Sequence, residues 1–247
     1  MLEDNVKKLK NPLLPNYNKV PLKIFQTWFT KKLPSDMKKA VNSIKETNHE
    51  FEHFLFDDDD CYTFIKNNYS KYILDAFEKL IPGAYKADLW RYCVLYFYGG
   101  IYIDIKFSHK NNFKFINLID KEYFVNDLEF SGFGVYNGLI IVKQRNEKLL
   151  KCINEIVINT QNNYYGETFL HITGPKLFDT FFTDEEKKEL SLTLSVPKDL
   201  QLQSIKDKKT KSIILMEYPL YREEQNKFSN KKHYAILWKE RNIYKKV

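Results

Sequence analysis

The stretch from residue 86 to residue 106 constrains the fold more than any other part of the chain. Its first dozen residues are helix formers and apolar side chains on every face, and this run stops at Gly99-Gly100. Glycine readily adopts the left-handed conformation in which helices often end, so the pattern predicts a buried helix that ends there. Ile101, Tyr102 and Ile103 are β-branched or aromatic, and they predict an interior strand whose far end is Asp104.

Two charged residues lie inside this apolar helix. Asp88 and Arg91 are three residues apart, which makes them neighbours on one helix face. A charge that is buried with a core helix has to be paired or has to meet a ligand, because an isolated buried charge is costly. The pair therefore indicates either a structural ion pair or part of a binding site, and Asp104 either ends a strand or belongs to the same site.

Together these residues resemble the DXD-containing sugar transferases. That family includes outer-chain initiating mannosyltransferases and α-galactosyltransferases, with the glucosylating domains of large clostridial toxins as distant relatives. The shared pattern is an Asp and an Arg three apart on a helix, Gly-Gly, a short apolar strand and Asp-x-Asp. The resemblance spans roughly residues 20–140 and returns at 173–175 and 233–238. It implies an α/β fold of the GT-A type, a nucleotide-sugar-binding mixed sheet flanked by helices with a small acceptor-side region.

The resemblance also implies an activity. We expect a retaining glycosyltransferase that moves a hexose-type sugar from a UDP- or GDP-sugar to a hydroxyl of a glycan or glycoconjugate. In this reading Asp88 and Arg91 hold sugar hydroxyls, and Asp104 binds the ribose, the sugar or a metal. The reaction places positive charge on the sugar and negative charge on the leaving diphosphate, so a protein accelerates it by fixing geometry and stabilising charge.

Position 106 departs from the family pattern, because Lys106 stands where the second Asp of Asp-x-Asp is expected. In the family that Asp is a principal ligand of Mn²⁺ or Mg²⁺, hard cations that prefer carboxylate and phosphate oxygens. A charged lysine has no lone pair for a metal, but it can stabilise a diphosphate directly. We expect weakened metal dependence, with Lys106 or a neighbouring lysine partly replacing the ion. Alternatively, Lys106 points away and Asp104 and His233 still bind Mn²⁺ together with the donor phosphates.

An earlier apolar segment, residues 23–29, predicts the first core strand. By the resemblance, Trp28 at its end stacks on the nucleobase, and Gln26 or Thr27 hydrogen-bonds the nucleotide. The alternative is that Trp28 is a core aromatic, because aromatic side chains supply large buried area wherever they occur.

A second strand, residues 51–56, runs into four consecutive aspartates at 57–60. These carboxylates suit a helix N-terminus, whose partial positive charge favours them. The functional alternative is that Asp57 or Asp58 touches the ribose, since ligands of open α/β sheets bind outside the carboxyl ends of the strands.

The second half of the chain adds three family-like features. Residues 135–142 predict a strand that contains Asn137, which by the resemblance hydrogen-bonds the donor sugar. Residues 233–238 resemble a closing His-x-Ala-x-x-Trp segment that folds over the diphosphate, which makes His233 a candidate metal ligand and Trp238 a candidate nucleotide-binding residue. Thr-Gly-Pro at 173–175 predicts a helix with proline in its first position.

The remaining elements follow from local patterns. Residues 34–36 predict a helix start capped by Ser35 or Asp36, and the spacing of Leu149, Leu150 and Ile153 predicts a core-facing helix over 146–159. We expect a basic loop at 107–117 and strands at 122–130, 192–196, 200–205 and 212–218. The glycines at 132 and 134 lack the spacing of a phosphate-binding loop.

Length and composition agree with one domain. The 247 residues, 43% of them hydrophobic, suffice for one α/β core at 21–247 without disulfides, preceded by a polar lead-in at 1–20. The three cysteines are in no metal-binding or Cys-x-x-Cys spacing, which favours a reducing compartment. With no apolar leader and no run approaching about 18 apolar residues, we expect a soluble, cytoplasmic chain, and leave open an anchor outside the given sequence.

The net charge of +7 comes almost entirely from lysine. Because base and phosphate readers are usually arginines, this charge adds little support for nucleic-acid binding, and no nucleic-acid partner is expected. A positive field also suits an anionic nucleotide-sugar or an acidic membrane surface, so peripheral membrane contact stays open. Two alternatives to the enzyme remain: a catalytically inactive nucleotide-sugar or glycan-binding module of the same fold, and a basic nucleic-acid-binding protein.

Overall fold

The structure is a computed structural model that describes residues 19–127, 134–196, 201–229 and 231–246. Within these ranges the strands form a single nine-stranded sheet in the order β2-β1-β3-β6-β5-β7-β8-β9-β4. The strands are β1 Lys23–Thr27, β2 Glu52–Phe56, β3 Gly100–Ile103, β4 Phe107–His109, β5 Tyr123–Asn126, β6 Val135–Val142, β7 Leu192–Ser195, β8 Ser204–Asp207 and β9 Ile213–Glu217.

Helices flank this sheet and alternate with its first strands along the chain. They are α1 Ser35–Thr47, α2 Asp58–Asn68, α3 Lys71–Lys79, α4 Gly83–Tyr98, α5 Glu147–Gln161, α6 Pro175–Asp179, α7 Asp184–Lys188, α8 Tyr221–Phe228 and α9 Tyr234–Lys239, with a 3₁₀ turn at Phe115–Leu118. This mixed sheet between helices confirms the predicted α/β class. Among the described helices, none combines the length and apolar character needed to cross a bilayer.

Strand direction decides where a ligand can approach. β1 runs parallel to both β2 and β3, so the carboxyl ends of these three strands meet at one edge of the sheet. β6 runs antiparallel to β3, with Ile103 opposite Leu139, and therefore begins at that same edge. The backbone N–H of Asp104 donates to the carbonyl of Gly138 at 2.8 Å, which extends the pairing by one residue. The candidate residues of the first three strands and of β6 thus converge.

The central helix ends as predicted. α4 is buried along almost its whole length, and Gly99 follows it with φ +67°. A Cβ at Gly99 would lie 2.7 Å from the backbone nitrogen of Gln144, and one at Gly100 (φ +109°) would lie 2.7 Å from the carbonyl oxygen of Lys23. Both glycines are therefore required by backbone conformation and by close packing, and the chain turns directly from α4 into β3.

The sheet separates two apolar layers. Phe25 and Tyr102 point to the side of α2, α3, α4 and α5, which holds the larger core. Their neighbours Ile24 and Ile101 point to the side of α1. This alternation follows the two-residue period of a strand and explains why β1 and β3 read as continuous apolar runs.

Two local predictions are wrong. Neither Ser35 nor Asp36 caps α1: the N-cap position is Pro34, and the first backbone N–H groups bind the carboxylate of Glu224 instead. The segment 107–117, predicted as a loop, contains β4 and a 3₁₀ turn, because β4 pairs with β9 more than 100 residues later. In both cases the deciding partner is remote in sequence.

Other boundaries shift by a few residues. The strand predicted at 200–205 is β8 at Ser204–Asp207, and the strand predicted at 122–130 is β5 at Tyr123–Asn126. Residues 1–18, 128–133, 197–200, 230 and 247 lie outside the described residues, and with them most of the predicted lead-in and of the glycine-rich segment at 132–134.

Candidate active site

The carboxylate of Asp88 receives donors from three parts of the chain. The Thr173 hydroxyl donates to Oδ2 at 2.8 Å, and the Asn137 side-chain amide donates to Oδ1 at 3.0 Å. Arg91, one helical turn further along α4, places Nη2 3.2 Å from the same Oδ1. All four residues are buried. Asp88 is thus fixed by β6, by the turn before α6 and by its own helix.

Arg91 bridges two carboxylates. While Nη2 faces Asp88, Nη1 lies 3.2 Å from Asp104 Oδ1 and donates to the backbone carbonyl of Asn137 at 2.8 Å. Its guanidinium also lies 4.3 Å from the centre of the Tyr102 ring. The spacing of Asp88 and Arg91 in sequence therefore does produce an ion pair, and that pair extends to the carboxyl end of β3.

Asp104 has contacts on both carboxylate oxygens. Oδ1 accepts a hydrogen bond from the Tyr102 hydroxyl at 3.0 Å as well as from Arg91. Oδ2 accepts from the Tyr136 hydroxyl at 2.8 Å and lies 3.6 Å from the Lys106 ammonium. Lys106 does not point away from the site, as one alternative had it, but is buried against Asp104.

Gly138 leaves the space in which this arrangement forms. A Cβ at this position would lie 2.1 Å from the Tyr136 hydroxyl oxygen and 2.5 Å from Asp104 Oδ2. Both contacts are far inside van der Waals distance. Only glycine therefore lets β6 pass this close to the end of β3.

The two carboxylates differ in acidity. Burial raises the pKa of Asp88 to about 6, although Arg91 and the Thr173 hydroxyl act in the opposite direction. Burial alone would also raise the pKa of Asp104, but Arg91, Lys106 and two tyrosine hydroxyls hold it below its usual range. Burial lowers the pKa of Lys106, and Asp104 partly offsets this. At neutral pH both carboxylates are charged.

The predicted nucleotide residues lie at the end of β1. Gln26 is fully buried, and its Oε1 lies 2.8 Å from His53 Nε2. Trp28 is 9% exposed and packs against Phe29 with the ring centres 4.8 Å apart. The side-chain amide nitrogen of Gln26 and the indole nitrogen of Trp28 are buried and bind no described residue. Buried donors without acceptors are rare, so this strand end offers two groups to a ligand.

Thr27 and Asp57 already take part in local structure. The Thr27 hydroxyl donates to the carbonyl of Phe56 at 3.0 Å. Asp57 is the N-cap of α2, where its Oδ1 accepts from the backbone of Asp60 at 2.9 Å and the Asp60 side chain binds back in a capping box. The helix-capping alternative for these aspartates is therefore what the structure shows, and contact of Asp57 with a ribose stays a prediction.

The C-terminal candidates lie on α9. His233 is exposed, and its Nδ1 accepts from the Ala235 backbone N–H at 3.3 Å. The Trp238 indole N–H donates to the carbonyl of Tyr165 at 2.6 Å. Burial raises the pKa of Tyr234, which the sequence analysis did not select, and the carboxylates of Asp88 and Asp104 add to this rise.

The donor set does not fit a divalent metal ion. Both oxygens of Asp104 have protein partners, and the Nδ1 atom of His233 accepts a backbone hydrogen bond. Within the described ranges, no three His, Cys, Asp or Glu residues converge in a way that could hold an ion. The Lys106 ammonium lies beside the carboxylate that a metal would need, where it would repel a cation.

Open grooves lie elsewhere on the surface. One of about 520 Å³ lies between α1, β4 and the turn before α8, and another of about 440 Å³ lies at the start of α5. Neither is lined by Asp88, Arg91, Asp104 or Lys106.

The structure adds residues to the site that the sequence analysis did not select. Tyr102 precedes Asp104 by two positions, so the two-residue period of the strand would have placed both on one face. Tyr136 and Thr173 come from remote segments, and Thr173 had been interpreted only as part of a helix start. No local signal marks either of them as a partner of a carboxylate.

Comparisons with known proteins support the fold and the family resemblance. Residues 34–125 match the family described as the glycosyltransferase sugar-binding region containing a DXD motif. A solved structure, the PaToxG glycosyltransferase, superposes with a TM-score of 0.53 at 18% identity, covering 66% of this chain and 68% of that one. At this identity the likeness concerns the fold alone, and it supports the predicted GT-A-like architecture.

Several relatives share sequence with the chain. A mimivirus protein named uncharacterized glycosyltransferase L373, from Acanthamoeba polyphaga mimivirus, is 28% identical over 72% of this chain and 70% of its own length. Inositol phosphoceramide mannosyltransferase 2 of Schizosaccharomyces pombe is 37% identical over 35% of this chain. Mannosyl phosphorylinositol ceramide synthase SUR1 of Saccharomyces cerevisiae is 33% identical over 37%. The aligned segments span only 25% and 24% of these two yeast proteins. The resemblance found in the sequence is confirmed.

Proposed function

We propose that the chain is a glycosyltransferase of the DXD-containing family and moves a hexose-type sugar from a UDP- or GDP-sugar to a hydroxyl of a glycan or glycoconjugate with retention of anomeric configuration. Two yeast relatives are named for mannosyl transfer to an inositol phosphoceramide. Mannose is therefore the first hexose to test, and a phosphoinositol-bearing glycolipid is the first acceptor.

The observation that carries this proposal is the buried network of Asp88, Arg91 and Asp104 at the carboxyl edge of the sheet. Ligands of open α/β sheets bind at this edge, and buried charges that converge there are candidates for chemistry rather than for stability alone. The ionised carboxylates can accept hydrogen bonds from sugar hydroxyls and orient the ring. Arg91 contacts both carboxylates and fixes their positions, so the site is preorganised before a donor enters.

In the proposed reaction the bond between the anomeric carbon and the diphosphate oxygen breaks, and its electron pair stays with the diphosphate. The acceptor oxygen forms the new bond on the same face of the sugar, and its proton passes to the departing diphosphate. Positive charge grows on the sugar next to Asp88 and Asp104, and negative charge grows on the diphosphate. Charges fixed in advance in a closed site stabilise such a transition state without reorganising.

The end of β1 supports a nucleotide site. The unpartnered donors of Gln26 and Trp28 suit the carbonyl oxygens of a base, and both lie next to the strand that carries Asp104. A bound nucleotide would thereby satisfy two buried groups that the protein leaves unpaired.

A binding module without catalysis is the second candidate. The observation that favours it is Lys106, which stands in place of the second Asp and is buried beside Asp104. The two candidates differ in turnover: the module would bind a nucleotide-sugar and release no free sugar and no product with any metal or acceptor.

The test is an assay of donor hydrolysis and transfer with UDP- and GDP-hexoses, GDP-mannose first. Asp88→Asn removes the charge at constant side-chain size, Arg91→Gln removes the charge with a shorter side chain, and each is expected to lower kcat/KM by about 100-fold or more. Asp75→Asn, which changes an exposed salt bridge with Lys71, is the matched control and should keep full activity. Undiminished turnover in both site variants contradicts the assignment, and donor binding without any turnover favours the binding module.

A further inference from the structure

We infer that Lys106 and Arg222 form a diphosphate-binding pair that supplies the positive charge a divalent ion supplies in the family. The inference rests on the proposed function, because the diphosphate is that of the nucleotide-sugar donor. It goes further by assigning a ligand to Arg222, which neither the family pattern nor the sequence analysis singles out.

Lys106 is a buried cation with unused hydrogen-bond donors. Its backbone is held by the Tyr218 N–H, which donates to the Lys106 carbonyl at 3.0 Å. Its side chain lies over the rings of Phe107 and Tyr136, with the ammonium 5.3 and 5.4 Å from the ring centres. The residue is 8% exposed, and its ammonium makes no hydrogen bond to a described residue, since Asp104 is 3.6 Å away. The ammonium is paired with Asp104 at a distance too long for a hydrogen bond, so its N–H groups can donate to an anionic ligand.

Arg222 approaches the same place from the first turn of α8. β4 and β9 pair with Phe107 opposite Glu217, so Lys106 and the start of α8 come from adjacent strand ends. Arg222 Nε lies 3.8 Å from Glu217 Oε1, too far for a hydrogen bond, and Nη1 donates to the neutral Gln225 side chain at 3.1 Å. Its side chain is 58% exposed. The guanidinium is therefore open to solvent and able to meet an incoming anion.

Both cations come close to Glu217. Phe107, next to Lys106, is opposite Glu217 in the strand pair, and Arg222 Nε is 3.8 Å from the Glu217 carboxylate. Two cations that approach the same place gain from an anion placed between them. A diphosphate, with its acceptor oxygens on two phosphates, can reach a buried ammonium and an exposed guanidinium at once.

The formal charges of the cluster also support the replacement of a divalent ion by Lys106. The charged groups of the cluster are Asp88, Asp104, Glu217, Arg91, Lys106 and Arg222. The formal charges of these six groups sum to zero. An aspartate at position 106 would lower the total by two units, and a bound Mn²⁺ or Mg²⁺ would restore it. Lysine in place of aspartate thus changes the site by the charge of one divalent ion.

The first experiment compares nucleoside diphosphate with nucleoside monophosphate binding in excess EDTA. Calorimetric titration with UDP, UMP, GDP and GMP gives the preference for the diphosphate in each variant. The wild type should prefer the diphosphate, and Lys106→Met and Arg222→Gln should each reduce that preference by about 10- to 100-fold. Lys227→Gln, an exposed cation further along α8, is the matched control and should leave the preference unchanged.

Arg222 is exposed, so Arg222→Gln keeps the inference falsifiable even if replacing the buried lysine disturbs folding. An unchanged diphosphate preference in Arg222→Gln overturns the pair. A wild-type protein that binds UDP or GDP only with Mn²⁺ also overturns it, while leaving the proposed glycosyltransferase function intact. Binding of no nucleoside diphosphate under either condition overturns both.

The second experiment restores the family residue. Lys106→Asp should bind the diphosphate weakly in EDTA and should regain affinity when Mn²⁺ is added, whereas the wild type should be indifferent to Mn²⁺. Tight diphosphate binding by Lys106→Asp in EDTA would show that the lysine charge contributes nothing, and the inference would fall.

Discussion

Asp88 and Asp104 are two aspartates that share one arginine, yet their pKa values move in opposite directions. Removal from water disfavours the charged form of each carboxylate. Asp104 also faces Lys106 and the hydroxyls of Tyr102 and Tyr136, which outweigh the burial. Asp88 lacks a second cation, so its pKa rises to about 6. Lys106 and the two tyrosine hydroxyls around Asp104, whose side chain is 21% exposed against 11% for Asp88, account for the difference.

The Thr173 hydroxyl is one of the groups that keep Asp88 ionised. Thr173→Val removes this donor while keeping the shape of the side chain, so the pKa of Asp88 should rise further above its ordinary value. If the ionised carboxylate is the active form, the acidic limb of kcat/KM should move to higher pH by about one unit, in line with a lost charge-assisted hydrogen bond. The measurement is kcat/KM for donor hydrolysis across pH 5 to 9.

Thr180→Val is the control, because its hydroxyl binds the carbonyl of Leu177 on α6 and not Asp88. The groups that face Asp88 from the packed elements are Arg91, Asp104, Tyr85, Tyr92, Tyr234 and Cys152. Burial and neighbouring charges move the pKa of each of these groups away from the range near 6. An acidic limb that stays in place in Thr173→Val would mean that Asp88 does not control it.

At the scale of elements, the start of α1 depends on α8. The backbone N–H groups of Asp36 and Met37 donate to the two carboxylate oxygens of Glu224, each at 2.9 Å. The Tyr218 hydroxyl donates to the same carboxylate at 2.9 Å. Glu224 thereby acts as the cap that α1 lacks in its own sequence, and it holds the helix that carries Arg222 against the sheet.

Glu224→Ala should therefore destabilise the protein as the loss of a helix cap does, by about 1 to 2 kcal/mol. Urea unfolding followed by circular dichroism measures this change. Glu223→Ala is the matched control, since Glu223 is the neighbouring residue and forms only an exposed pair with Lys227. Equal stabilities of the two variants would show that the contact with α1 contributes nothing.

At the scale of the whole molecule, the buried network makes stability depend on pH. The pKa of Asp88 is about 6 in the folded protein against an ordinary value of 3.8. Between these values the folded state binds more protons than the unfolded chain, so the free energy of unfolding falls as pH rises from about 4 to about 6. The stabilisation by Asp104, whose pKa is lowered, is lost only below about pH 4, in a separate window.

Asp88→Asn should remove this dependence. Relative to the wild type, the variant should gain stability between about pH 4 and pH 6, by about 3 kcal/mol at most. Urea unfolding at pH 4, 5, 6 and 7 measures the difference. The free energy of unfolding has to be compared between variants because of His53, whose pKa burial lowers to about 4. This histidine makes the free energy of unfolding rise with pH in the same range, opposite to the effect of Asp88.

Asp75→Asn replaces an exposed residue and is the control. Its free energy of unfolding should differ from that of the wild type by a constant amount from pH 4 to pH 7. A constant difference between Asp88→Asn and the wild type from pH 4 to pH 7 would contradict the raised pKa of Asp88. The desolvation of the carboxylate would then be compensated by groups that the described contacts do not include.

Elements with a local pattern were predicted well. The structure contains the apolar run of α4 with its glycine stop, the Thr-Gly-Pro start of α6 and the core-facing helix α5. β4 was missed because its three residues become a strand only by pairing with β9. The cap of α1 was assigned to Ser35 or Asp36 because Glu224 lies almost 190 residues further along the chain.

Local patterns in the sequence suffice to predict the buried helix that ends before Gly99, its turn into β3 and the position of Asp88, Arg91 and Asp104 along them, because helix and strand periods are local properties of the chain. The groups around these charges are set by the tertiary structure. Thr173 and Tyr136 arrive from segments whose spacing to α4 carries no signal, and their approach depends on strand order and on the packing of α6. The acidity of each carboxylate depends on that approach, since burial and neighbouring charge set a pKa and neither is a property of a residue alone.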